Sequence, residues 1–473
     1  MLQILFASAV AATLASDLQE IAKLPGEPSI VSAAGLTAGG EPILSLENPS
    51  AFDPQSKKRR VVIFAAAGSD ERTAGVLSLV RWMKTSAPAR VRNEWVASAL
   101  PAAGFVDEAS FRRWIGFQNV DVTFEVTDQH RTPDDLARVL ASIGAPSAKP
   151  LALRVGRDPL TIAKLLARKY PSEPSISYIP ALSWANTVKL AAMTNDGALR
   201  EKVNEQLRPW LSGEKELFGN RIQLTSVAGT FVFADRAGTG DDASRGLALK
   251  GAEAASKVKD GDVYEYGGGW TDDMFMASVV LARTWTMPGR AGDLDLAAKM
   301  LIAYAGRLHR PDGLFNHATN GPAAWGRGNG FAALGLTEVL AALPPQHESR
   351  AQILDIYRRQ MDAVRAQQAP DGAWREVIDE PGSYREESAT AMLMAAMSRG
   401  VRYGWLDRSY APAVERAWRA VAAHVAEDGT IVDVCASTGG GPTKKYYLER
   451  PAVTGADDRG GAMALLAAIE KMM

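Results

Sequence analysis

A single cysteine, Cys435, occurs in 473 residues, which rules out an internal disulfide framework and any cysteine-rich metal site. Histidine is nearly as scarce. Five occur, at 130, 309, 317, 347 and 424, and no two share the helical spacing of a metal-ligand pair. Zinc and haem chemistry are therefore not expected, and no metal or cofactor is implied. An excess of either charge is missing too: 53 Lys and Arg against 54 Asp and Glu give a formal net charge of -1. Neither nucleic acid nor an anionic membrane is favoured as a partner. Beyond the first residues, no stretch approaches the ~18 consecutive apolar residues of a membrane span.

What is present is enough for a large core. Hydrophobic residues make 47% and charged residues 23%, the balance of a soluble globular protein. The length suggests about three domains, or one large barrel with a smaller companion. Residues 1–16 are apolar, with small residues towards the end, and read as a candidate export signal. That would place the protein in the periplasm or outside the cell. The segment is short and has no Lys or Arg before its apolar part, so an amino-terminal core helix in a cytoplasmic protein is the alternative.

Residues 17–150 read as an α/β domain. Arg59 to Phe64 is a short buried strand, and Thr73 to Thr85 carries Val76, Leu77, Leu79, Val80 and Met83 at helical spacing. Glu94 to Leu100 and Val120 to Val126 read as further strands. With Ala67-Gly68-Ser69-Asp70-Glu71 after its first strand, this order resembles the zinc carboxypeptidase fold. In that family a His-x-x-Glu pair at this place and a later His hold the metal. Here Gly68 stands three residues before Glu71, and no histidine follows directly on the strand ending at Val126. A lone Glu cannot hold zinc, so the resemblance implies a structural or substrate-positioning module. Residues 151–180 read as a connecting segment with one helix starting at Pro159.

From about 181 to 473 helical periodicity dominates. Six segments, starting near 183, 223, 271, 325, 385 and 457, are almost wholly apolar or small. Amphipathic helices near 197–212, 241–256, 293–308, 347–367 and 409–426 lie between them, and 158–170 supplies a sixth. In 293–308, Leu294, Ala298, Leu301, Ala305 and Leu308 form one stripe while Lys299 and Arg307 face away. Buried helices alternating with half-exposed ones imply a mainly α, (α/α)6 toroid of helical hairpins. The inner helices of such a toroid all begin at one end, and there this sequence collects its unusual residues. Gly267-Gly268-Gly269-Trp270-Thr271-Asp272-Asp273 opens one inner helix. Thr271 or Asp272 could cap it, or Asp272 beside the Trp270 indole could serve acid–base work on a sugar. Aromatics with a few polar groups around a rim suit a carbohydrate cleft.

The motifs over 180–473 resemble glycoside hydrolase family 105, the unsaturated rhamnogalacturonyl hydrolases, and more distantly the unsaturated glucuronyl hydrolases. The matching pieces are Trp270 to Met276, Asp312 to His317, Trp325-Gly326-Arg327-Gly328-Asn329-Gly330, Glu387 to Met392 with Arg399-Gly400, Asp428-Gly429-Thr430 and Thr438-Gly439. The resemblance implies an oligosaccharide substrate left by a polysaccharide lyase, with a C4=C5 double bond in its non-reducing-end sugar. An acid protonates C4, water adds at C5, and the resulting hemiketal falls apart to release the neighbouring sugar. The family's catalytic acid and base matches Asp272. Its active-site histidine matches His317, and Trp325 and Arg327 match the residues that stack on and orient the sugar. Trp270 is expected as a platform, Glu387 as a substrate-binding rim acid, and Tyr447, with Lys445, in a loop over the cleft. One departure stands out. The family has a further Asp at the mouth of the preceding inner helix, where this chain reads Gln223 to Gly229 with Ser226 and no acid. That departure keeps two alternatives open: a degenerate carbohydrate-binding protein, or another (α/α)6 enzyme such as a polysaccharide lyase or a two-acid glucosidase.

Overall fold

The computed structural model describes the backbone of residues 2–53, 55–66, 69–144 and 149–473, and side chains from residue 12 onward. The chain divides into two compact units. One comprises Met1–Gly156 with Ala369–Ala373 and Glu380–Tyr384, and the other holds the remainder from Arg157.

The first unit is built on a five-stranded sheet. Its strands are β1 (Ile30–Leu36), β2 (Pro42–Glu47), β3 (Arg59–Phe64), β4 (Trp95–Leu100) and β5 (Val122–Glu125), in the order β1-β2-β4-β3-β5. β3 pairs in parallel with β4 and β5, while β1 and β2 form an antiparallel pair. Parallel neighbours need crossover connections, supplied by α2 (Asp70–Thr85) with α3 (Ala89–Glu94) and by α4 (Glu108–Gly116). α1 (Leu2–Lys23), α5 (Pro133–Ser142) and α6 (Pro150–Val155) complete the unit. Leu18 and Ile21 of α1 join Val61, Ile63, Val76, Leu79 and Ala99 in its core. Most of the segment read as an export signal lies among side chains outside the description, as does Gly68. Glu71 is well exposed, 3.4 Å from Arg131.

The second unit is the toroid. Its outer helices are α7 (Pro159–Lys169), α9 (Gly197–Leu211), α12 (Asp242–Ala255), α15 (Asp293–Leu308), α17 (Arg350–Ala366) and α19 (Ala411–His424). The inner ring is α8 (Tyr178–Thr194), α10 (Leu224–Gly229) continued by α11 (Phe231–Ala237), α13 (Thr271–Met276) continued by α14 (Ser278–Thr284), α16 (Gly326–Ala342), α18 (Glu387–Arg402) and α21 (Asp458–Met472). α20 (Lys444–Leu448) sits in the loop before α21. Each inner helix packs on the next, and α21 packs on α8 to close the ring. The two kinds of helix separate by burial as the sequence implies. In α15 the residues Leu294, Ala297, Ala298, Leu301, Tyr304, Ala305 and Leu308 are buried while Lys299 is exposed. In α16 nearly every residue from Gly326 to Leu340 is buried. Among the described residues, no helix is long and apolar enough to cross a membrane.

Candidate active site

α13 begins differently from the expected cap. Trp270 occupies the N-cap position in extended conformation, and Thr271 and Asp272 lie in the first turn. The backbone N–H groups of the preceding loop are taken by Asp273. Its Oδ2 accepts from Gly269 N at 2.7 Å and Trp270 N at 3.2 Å, and from the Tyr304 hydroxyl at 2.8 Å. Gly269 turns with φ +75°, a region that side-chain-bearing residues rarely adopt. Asp273 is 3% exposed. Burial, reinforced by the charge of Asp272, pushes its carboxyl up to about 6 against the pull of Tyr304 and the loop amides. With Asp273 committed to the loop, Asp272 is the carboxylate left at the mouth, its side chain 14% exposed.

Asp272 is anchored on one oxygen. His317 Nε2 lies 3.0 Å from Asp272 Oδ2, and His317 Nδ1 lies 2.9 Å from the Tyr447 hydroxyl. With Asp272 Oδ2 as the acceptor, Nε2 is the donor, and Nδ1 is left to accept from Tyr447. The Gly441 N–H donates to the same hydroxyl at 3.1 Å, leaving its proton for His317. His317 is completely buried. It is held between Trp270, with ring centroids 5.4 Å apart, and Trp325, at 4.5 Å. Its own carbonyl accepts from Thr271 N at 3.0 Å, which ties the histidine loop to the first turn of α13. The outcome is a Tyr447–His317–Asp272 chain, with Asp272 Oδ1 outside it.

Three of the residues expected to touch sugar lie behind this chain. Trp325 is 1% exposed, and its Nε1 donates to Glu376 Oε1 at 3.0 Å. Its face supports the His317 ring and is not open as a stacking platform. Arg327 is 2% exposed and donates to the carbonyls of Cys435 and Ala436 at 2.9 and 3.0 Å, with Glu386 Oε1 at 3.9 Å. Burial opposes its charge, but Glu386 and Glu376 are among the neighbours that raise its affinity for the proton. The Arg327 guanidinium, expected to orient the sugar, is thus held by carbonyls inside the protein. Glu387 is fully buried and neither of its oxygens has a hydrogen-bond partner. Burial, with Glu386 and Asp457 close by, raises its carboxyl well above the usual range. It is an interior acid, not a rim acid, because the first turn of α18 lies beneath the surface.

Trp270 remains half-buried at the mouth. A Cβ at Gly440 would come within 3.0 Å of Trp270 Nε1, so the loop after Thr438 backs directly onto the indole. Tyr447 is buried and acts through His317, while Lys445 is exposed and pairs with Glu449. Where the family's further Asp is expected, Ser226 Oγ donates to Gln223 O at 2.7 Å. Asp235 lies at the far end of its helix against Arg283, and Asp241 caps α12. Sequence reasoning missed two parts of the site: Tyr304, which fixes Asp273, and Glu376, which holds the Trp325 indole and is pushed up to about 8 by burial and by Glu386. Among the described residues no group of three His, Cys, Asp or Glu side chains is placed to hold a metal ion.

The sequence model of glycosyl hydrolase family 88 matches residues 156–473. The chain belongs to glycosyl hydrolase family 88. An unsaturated 3S-rhamnoglycuronyl hydrolase of Alteromonas sp. is 29% identical over 175 residues, 34% of this chain and 42% of that protein. An unsaturated rhamnogalacturonyl hydrolase of Bacillus subtilis is 28% identical over 191 residues, 38% of this chain and 54% of that protein. The chain therefore spans about half of these curated relatives. Among solved structures, a possible family 105 member from Klebsiella pneumoniae matches with a TM-score of 0.61 at 19% identity, over 66% of this chain and 92% of that one. The unsaturated glucuronyl hydrolase of Bacillus sp. GL1 matches with a TM-score of 0.50 at 17% identity, over 68% and 96%. At these identities the structures show a shared fold, the toroid.

Proposed function

We propose that this family 88 chain hydrolyses oligosaccharides whose non-reducing-end uronyl residue carries a C4=C5 double bond. The observation that carries the reading is Asp272, a carboxylate at the mouth of an inner helix with one oxygen fixed by His317 and an indole beside it. Asp272 Oδ1 delivers a proton to C4 of the enol ether, and Oδ2 stays on His317. The carboxylate then takes a proton from the water that adds at C5. The hemiketal opens and the neighbouring sugar leaves, so one water is consumed and Asp272 ends the cycle as it began. A second catalytic acid is not required by this balance, unlike hydrolysis by paired carboxylates. Trp270 forms the apolar wall for the sugar ring.

The serine at position 226 favours one second reading, a binding protein on the same toroid, because the acid expected there is absent. Lyase-generated unsaturated disaccharides from pectin, ulvan and glycosaminoglycans separate the two when the ultraviolet absorbance of the double bond is followed. Hydration removes the absorbance, a lyase raises it on intact polymer, and a binding protein leaves it unchanged on all of them.

A further inference from the structure

The toroid holds a cavity of about 340 Å³ inside its inner ring, towards the end where the inner helices finish. That volume lies within the range of small-molecule sites. Asp272 stands in the first turn of α13, at the opposite end, and takes no part in the lining. Five charged side chains do: Lys189 of α8, Asp235 of α11, Arg283 of α14, Glu338 of α16 and Arg399 of α18. With Glu470 of α21 they form a circle in which the sign of the charge alternates from one inner position to the next. Arg283 pairs with Asp235 and, at 3.1 Å, with Glu338, and Arg399 pairs with Glu338 at 2.7 Å and Glu470 at 2.9 Å.

The circle is open at one place. Among the described residues no ion pair joins Lys189 to Asp235, although α8 packs against α11. Lys189 Nζ meets no hydrogen-bond acceptor there, and Glu470 Oε1, 3.9 Å away, is already held by Arg399. Asp235 Oδ2 accepts from Arg283 Nη1, whereas Oδ1 meets no donor. Both side chains are accessible from the cavity mouth, Lys189 at 39% and Asp235 at 40% exposed. Burial nonetheless lowers the Lys189 ammonium and raises the Asp235 carboxyl, so water solvates neither charge fully.

A free cation beside a free carboxylate selects the ligand. A simple anion on Lys189 would face Asp235, and a simple amine on Asp235 would face Lys189 and Arg283. A head group of both signs satisfies the two at once. Ala185, Val188 and Ala192 share the cavity face of α8 with Lys189 and are at least partly exposed, which gives a short apolar wall. We propose that this cavity binds a small aliphatic α-amino acid, with its carboxylate on Lys189 Nζ, its ammonium on Asp235 Oδ1 and its side chain along that wall. The site is separate from the proposed catalysis.

Isothermal titration of the full chain with leucine, 4-methylpentanoate, 3-methylbutylamine and glycine tests the proposal. The last three remove the ammonium, the carboxylate and the aliphatic side chain in turn. Leucine should bind, and each of the other three should bind about tenfold more weakly or worse. Lys189→Gln should weaken leucine by a similar factor. It changes a partly exposed residue with no hydrogen bond to lose, so its melting temperature and its turnover of unsaturated disaccharides should match wild type. Asp272→Asn should bind leucine as wild type does, which separates the cavity from the active site. Absence of leucine binding, equal binding of any of the three truncated molecules, binding unaffected by Lys189→Gln, or binding lost in Asp272→Asn would each overturn the proposal.

Discussion

At the scale of single residues, adjacent aspartates do opposite things because their surroundings differ. Asp273 spends its oxygens on the loop amides and Tyr304, whereas Asp272 keeps one oxygen outside the His317 chain. Asp272→Asn should therefore lower kcat at least about a thousandfold while unsaturated disaccharide still binds, measured by absorbance turnover and by titration. Asp273→Asn should act differently, by loosening the loop and lowering thermal stability. Tyr447→Phe is the sharper test of the chain. It removes the proton donor to His317 Nδ1 and the acceptor of Gly441 N. kcat should fall about ten- to a hundredfold with KM little changed. An unaltered kcat would reduce Tyr447 to packing. His317 was legible in the sequence because a glycine turn and an Asn-His pair precede an inner helix. Its partner was not, since Tyr447 lies 130 residues away and only the closed ring brings the two together. Burial was illegible for the same reason, so Arg327 and Glu387 read as sugar-facing residues although both lie inside.

At the scale of elements, the sequence separated inner from outer helices well, because burial on all sides and burial along one stripe leave different composition. The starts near 223, 271, 325, 385 and 457 match α10, α13, α16, α18 and α21, while the first inner helix begins at Tyr178, earlier than the 183 expected. The interruption between α13 and α14 gave no signal, since Ala277 favours helix, whereas that between α10 and α11 follows Gly229. Spacing within the ring depends on where backbones meet. A Cβ at Gly335 of α16 would lie 2.1 Å from the carbonyl oxygen of Met274 in α13, two residues beyond Asp272. Backbone cannot rotate away as a side chain can, so Gly335→Ala must push α13 and α16 apart. The variant should lose about 1–3 kcal/mol of stability and turn over more slowly although it touches no substrate. Chemical denaturation beside absorbance kinetics checks both. Full activity with lowered stability would mean that the ring yields elsewhere and spares Asp272.

At the scale of the whole molecule, one end of the toroid carries the proposed chemistry and the other carries ion pairs. Arg283 and Arg399 both bind Glu338, at 3.1 and 2.7 Å, and Glu470 takes Arg399 at 2.9 Å and Arg402 at 2.7 Å. These residues come from α14, α16, α18 and α21, and Asp235 of α11 on Arg283 with Lys189 of α8, 3.9 Å from Glu470, extends the network to all six inner positions. Burial alone would push the Glu338 carboxyl up, but the two guanidiniums hold it at about 2 against an unfolded value of 4.5. A carboxyl whose folded value is depressed stabilises the fold above its unfolded value, and that stability drains away as pH falls from 4.5 towards 2. The difference corresponds to about 3 kcal/mol in all. Glu376 runs the other way, because burial raises it to about 8. Its contribution is complete below 4.5 and is lost as pH rises through 8, at roughly 1.4 kcal/mol per pH unit. Wild-type stability should therefore fall on both sides of about pH 4.5, for separable reasons. Glu338→Gln should be less stable at neutral pH, with two guanidiniums left short of a partner, and should show a flatter acid limb. Glu376→Gln keeps an oxygen for Trp325 and Cys435 but cannot ionise, and should flatten the decline between pH 4.5 and 8 while changing little below it. Melting curves of the three proteins across pH decide it, and parallel curves would remove both carboxyls from the pH dependence of the fold.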